Sequence, residues 1–195
     1  FRSDSDEAIQ LTNMRDISLT LSGWELCKYA VPLDCKPIPP LQLPAHRQVW
    51  LARGAPAFYA TFGFTPEASL SSWPIFSNEG DEALLRDASG EIVDTLVYAG
   101  GESSVSGWEG SPVQPYDAGR ALEGQILARI PDEITGLPQA DTDGAADWLQ
   151  HSTGLGQVRY PGWDLDPLFW PLTVTEPATV IVGIAPDNAI EVITS

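Results

Sequence analysis

The chain has 195 residues, 43% of them hydrophobic, and 27 acidic residues against 10 basic ones give a net charge of −17. That length can bury a core without staples, the apolar fraction is that of a globular chain, and no apolar run reaches the roughly 18–20 residues that cross a bilayer. The absence of any Lys or Arg run in so acidic a chain argues against a nucleic-acid partner, since binding phosphates needs clustered cations. The charge reads as solubility or, more sharply, as cation binding or life outside the cell.

The sequence opens on Phe1 without a signal peptide and reads as a piece processed or excised from a longer chain. "EAIQLTN" (Glu7 to Asn13) is a short strand ending in a turn. In "ISLTLSGWEL", Ile17, Leu19 and Leu21 alternate, then Trp24 and Leu26 continue on the other parity. One face stays buried only if the strand is offset by a bulge or bend at Gly23. Cys27 and Cys35 flank a Pro-containing loop; they read equally as a disulfide of an oxidising compartment or as two free thiols. "PLDCKPIPPLQLPAH" reads as a loop held extended by its prolines, and "QVWLAR" as a strand.

"APAFYATFG" has Pro56 where a first helical turn takes it and Gly63 where a helix stops, which predicts a short helix. "EALLRD", "ASG" and "EIVDTLVY" form a hairpin with Gly90 available for positive φ. The return strand is apolar on both parities near its end, which places it centrally in a sheet. After Tyr98 the composition turns rich in Gly, Ser and Pro and reads as a long loop. "QILARI" is a last strand candidate. In "ATVIVGIAPDNAIEVITS" a buried-type strand is followed by a capping box at Asn188 and Glu191, the start of a helix. Several short strands with turn-rich spacers and one helix define an all-β sandwich, immunoglobulin-like if the strands number about seven.

The stretches "DEAIQLTN", "LSGWEL", "LPAHRQVWLAR" and "FSNEGDEALLRDASGEIVDTLVY" resemble, in that order, the strand and hairpin motifs of the lamin tail domain. Four ordered blocks cover residues 6 to 98; Ala45 stands where the family often has Gly, and the segment before Asp6 lacks a clear opening strand. The resemblance implies an immunoglobulin-like β-sandwich of bacterial type with a binding or spacing role and no catalytic residues to carry over. Downstream, "DTDGAADW" and "PGWDL" are similar to sequences that lead into phospholipase D-like domains, and "VIVGIAPDNAIEVI" looks like the opening strand and helix of one. The organisation expected is a sandwich over 1–150 with its core at about 6–130, an aromatic and Pro-rich connector over 151–178, and the opening β-α unit of a following domain over 179–195. That context implies a secreted or cell-surface protein with an adjacent catalytic domain as its partner.

Candidate chemistry on the chain itself is sparse. Phospholipase D-type chemistry needs a His nucleophile with Lys two residues on; neither His46 nor His151 has one, and the only lysines are Lys28 and Lys36. Ser22 and Ser106 lie in "SGW", not in a nucleophile elbow. Asp141, Asp143 and Asp147 are the candidate metal ligands, three carboxylates in one loop that could wrap Ca²⁺. Ala145, Ala146 and Ser152 stand where an EF-hand needs other residues, and the same carboxylates could instead cap a short helix beginning near Gly144. Trp24 and Trp50 are expected in the core, while Trp108, Trp163 and Trp170 could pack the later segments back onto the sandwich. The expectation is therefore a non-catalytic binding or spacer module. The other two readings are a Ca²⁺-assisted hydrolase built on the Asp cluster and an assembly module that pairs edge strands, with itself or with a protein partner.

Overall fold

The computed structural model describes residues 7–77, 79–114, 127–148, 179–184 and 190–194. Strands dominate, arranged in largely antiparallel sheets with very little helix, so the chain is an all-β sandwich. One sheet has the order β1-β6-β7, from β1 (Ala8–Thr12), β6 (Gln48–Ala52) and β7 (Ala68–Ser69). The other runs β4-β3-β8-β9, from β3 (Glu25–Lys28), β4 (Asp34–Pro37), β8 (Gly80–Arg86) and β9 (Ile92–Ala99). A small ladder joins β2 (Leu19–Thr20) to β5 (Gln42–Leu43).

Alternation decides what goes inside. On β6, Val49 and Leu51 enter the core with Leu21, Leu26 and Leu43, and Ile9, Leu11 and Leu85 pack against them. Each such side chain, fully buried, stabilises the fold by roughly 1.5–3 kcal/mol. The parity switch between β2 and β3 is made at Gly23, whose φ of 80° completes a tight turn; an added Cβ there would also sit 3.1 Å from that of Ala88. On the other face of β6, Trp50 meets the helix α1 (Ala55–Phe62), where Phe58 is fully buried between Trp50, Phe62 and Phe64. The helix carries its Pro in the first turn and ends at Gly63, whose N–H donates to Tyr59 O at φ 79°.

Several sequence expectations need correction. The Pro-rich stretch is not merely a loop: it supplies β4 and β5, its prolines standing at strand ends where no ladder hydrogen bond is lost. Among the described residues nine strands, three of them only two residues long, precede Gly100, against the seven or so expected. The return strand β9 is the end strand of its sheet and not a central one. Its two-sided apolarity is met by the following chain. Val113 bridges Tyr98 in parallel, and Val97, Val105, Trp108 and Val113 form a second hydrophobic cluster that Leu127 and Trp148 help to close. The segment after Tyr98 thus packs on the sandwich over 99–114 and 127–148. Of "QILARI", residues 127–130 form no strand; Arg129 makes a single bridge to Trp148. At the far end the expected helix is replaced by a strand: β10 (Thr179–Ile184) pairs antiparallel with β11 (Ile190–Thr194). The β-branched residues of Ile190–Thr194 favour a strand over the capping signal; Asn188 itself lies outside the described residues.

Candidate functional site

The polar residues of the four motif blocks are committed to architecture. Asn13 is buried, 2% exposed, and its amide donates to Ile17 O, Leu43 O and Pro44 O at 2.8, 3.0 and 3.1 Å. Its Oδ1 accepts from Arg15 N at 3.0 Å. One side chain therefore ties the end of β1 to the segment after it and to β5. Buried Asp81 accepts from the N–H groups of Ser77 and Glu82 and pairs with Lys28, which also donates to Ile75 O. Buried Glu7 pairs with Arg53 across the β1–β6 ladder. In the hairpin turn Asp87 accepts from the Ser89 hydroxyl and from the N–H groups of Glu91 and Ser89, and these bonds hold its carboxyl below the usual range.

A carboxylate cluster lies where β8 meets the loop after β9. Glu82 is buried beside Asp81 and accepts from Glu102 N. Burial raises its carboxyl; the Glu102 hydrogen bond opposes this and the Asp81 charge adds to it. Tyr98 donates to Ser77 O at 2.6 Å. Burial, then the nearby carboxylates of Asp81, Glu7 and Glu82, hold its hydroxyl protonated well above the ordinary tyrosine range.

Arg129 organises the acidic loop. Its guanidinium, 13% exposed, reaches Asp94 at 2.6 Å and Asp141 in two-pronged fashion at 2.9 and 3.1 Å. It lies 3.7 Å from Asp147 and stands 4.8 Å over the Trp148 ring. Burial against the sheet raises the Asp94 carboxyl and Arg129 opposes the shift. Asp147 accepts from the Thr142 hydroxyl, Thr142 N and Gly144 N, fixing one 3-10 turn over Ala145–Asp147. Burial alone would raise its carboxyl, but the Thr142 and Gly144 bonds carry it below the ordinary value.

Of the residues singled out from sequence, Asp141 and Asp147 both approach Arg129, Asp147 also holds its own turn, and Asp143 is exposed at φ 57°. The short-helix capping anticipated near Gly144 is present, with Asp147 as its acidic partner. Cys27 and Cys35 form a disulfide across the β3–β4 ladder. Among the described residues the one set of metal-type ligand atoms that converges is Glu25, Cys27 and Cys35; its sulfurs are bonded to each other, and Glu25 is taken by Arg86. His46 is half-exposed and bonds Asp16 at 2.8 Å; His151, Trp163 and Trp170 lie outside the described residues. Ser22 is exposed, and Ser106 serves through its carbonyl, which accepts from Thr95 Oγ1. Trp24 packs against the inner core and Trp108 is buried in the second cluster.

What sequence reasoning missed is a cavity of about 660 Å³ bordering β1 and reaching β8, β9 and the 127–141 segment. Leu11, Leu26, Leu85 and Leu96 make its walls apolar, and Arg129 and Asp141 stand at one side. No alternation pattern signals it, because it arises from a gap between two sheets and not from any one strand. None of the described helices is long and apolar enough to cross a membrane.

No protein-family model matches the chain, and no curated protein matches it.

Proposed function

We propose that the chain is a non-catalytic binding or spacer module of the lamin tail type, with immunoglobulin-like topology, acting beside a phospholipase D-like catalytic domain outside the cell. The observation that supports this most is the use made of the four motif blocks. They fall on β1, on β2–β3, on β6 and on the β8–β9 hairpin of one sandwich, and their polar residues Asn13, Asp81 and Asp87 hold turns and ladders together. Side chains committed in this way serve a scaffold, and the loops and strand edges are left for recognition. The Cys27–Cys35 disulfide suits an oxidising compartment.

Turnover of a panel of phosphodiester and ester substrates, with and without Ca²⁺, tests the reading. No turnover above a heat-denatured control is expected. Turnover abolished by Asp143→Ala in a folded protein would overturn it in favour of a hydrolase built on the Asp141, Asp143 and Asp147 loop. Sequencing the reading frame beyond Ser195 tests the context: paired His-x-Lys motifs are expected, and an unrelated domain would remove the phospholipase D association.

A further inference from the structure

The outer edge of β1 carries the most unmet recognition capacity among the described residues. Among the described residues β1 pairs with β6 alone and ends its sheet. Arg53 N donates to Glu7 O and Asn13 N to Arg47 O, both at 2.9 Å, so the odd-numbered residues exchange hydrogen bonds with β6. The antiparallel alternation then turns the N–H and C=O groups of Ala8, Gln10 and Thr12 outward. Residues of both parities, from Ala8 to Thr12, border the 660 Å³ cavity, so the cavity runs along that edge. Its volume falls in the roughly 300–1,000 Å³ range of ligand sites. Two cavity-lining tryptophans, Trp73 and Trp148, have buried indole N–H groups without a hydrogen-bond partner.

We propose that this groove binds an extended peptide of a partner protein, added as a strand antiparallel or parallel to β1, with alternate apolar side chains in the cavity and basic residues on its flanks. A hydrocarbon chain would fill the apolar volume but leave the edge N–H groups of Ala8, Gln10 and Thr12 unmet. A peptide strand offers carbonyls to them. The net charge of −17 selects basic flanks and opposes a second copy of the same chain as occupant. This inference rests on the reading of the chain as a binding module and names its partner class.

The test uses the whole chain and a fluorescein-labelled peptide, Lys-Lys-Val-Thr-Val-Thr-Val-Lys-Lys, followed by fluorescence anisotropy. Gln10→Pro removes an outward N–H while sparing the β6 ladder, a place where edge strands tolerate proline. It should weaken binding roughly tenfold or more, the equivalent of about one backbone hydrogen bond; Gln10→Thr, which keeps the N–H, should bind like the parent. Amide exchange on the unmodified protein gives a second readout: Ala8, Gln10 and Thr12 should exchange fast alone and slowly with peptide. Equal affinity for Gln10→Pro, absence of binding, or slow exchange of those amides without peptide would each overturn the proposal, the last showing the edge already occupied by this chain or a second copy. Such a failure is distinct from that of the module reading, which falls only to hydrolytic turnover.

Discussion

Replacing Asn13 by Ala should be among the costliest single changes in the chain. The Asn13 amide bonds three carbonyls, on two segments far apart in sequence, and its oxygen holds Arg15 N. Truncation removes two or three net hydrogen bonds at about 1 kcal/mol each, so a loss of roughly 3 kcal/mol is expected. At about 2–4 °C per kcal/mol for a chain of this size, the thermal midpoint should fall by roughly 6–12 °C. Calorimetry together with urea titration at pH 7 measures both quantities. Asn13→Asp should do no better at pH 7, because its carboxylate would face the three carbonyls, and it should recover part of the loss below about pH 4 as it protonates. A midpoint shift under about 2 °C for Asn13→Ala would refute the claim that this side chain is the tie between β1 and β5.

Reducing the Cys27–Cys35 disulfide, or replacing both residues by Ala, should cost about 2–3 kcal/mol for so short a loop, and dithiothreitol should lower the midpoint of the parent but not of the double variant. Arg129→Met should cost about 2 kcal/mol, discounted because Asp94 and Asp141 are each about 40% exposed; limited proteolysis should then cut within 127–148 in the variant before the parent. Asp147 has a folded-state carboxyl below its unfolded value of about 3.9, so its contribution is present above that pH and lost as pH falls through the folded value. The stability gap between the parent and Asp147→Asn should accordingly be about 2 kcal/mol at pH 7 and should close in acid denaturation below about pH 4. Gly107→Ala, at φ 75° and with its Cβ 2.9 Å from Thr95 Oγ1, should destabilise by roughly 1–2 kcal/mol in the same urea titration.

What was legible in the sequence was local. Alternation fixed β1, β6 and the β8–β9 hairpin, and the Pro56 and Gly63 signals bounded α1, because each rests on near neighbours. The bend at Gly23 was legible for the same reason, since it followed from a change of parity inside one run. The β4 and β5 strands were hidden because prolines at strand ends look like loop residues until their pairing partners are known. β9 was misplaced because a strand covered by later loop residues has the same two-sided apolar pattern as one flanked by strands. The Asp141 to Asp147 cluster looked like a cation loop because Arg129, twelve residues from Asp141, gives no sign in sequence that it will sit between Asp94 and that loop. The open β1 edge and its cavity depend on the gap between two sheets, which no single stretch encodes.

The placement of Val97 and Val113, both without solvent exposure, bears on where the domain ends. The alternating strand motifs stop at Tyr98, and a boundary drawn there would look natural on paper. It would also slice through the second cluster, baring the outer face of β9 together with the buried Glu82 carboxylate that Glu102 supports. The run of sequence motifs and the cooperative unit therefore have different borders in this molecule. A fragment cut at Tyr98 would expose the strand most in need of cover, and an expression study that keeps the chain through at least Trp148 would retain the smallest piece whose described apolar clusters are whole.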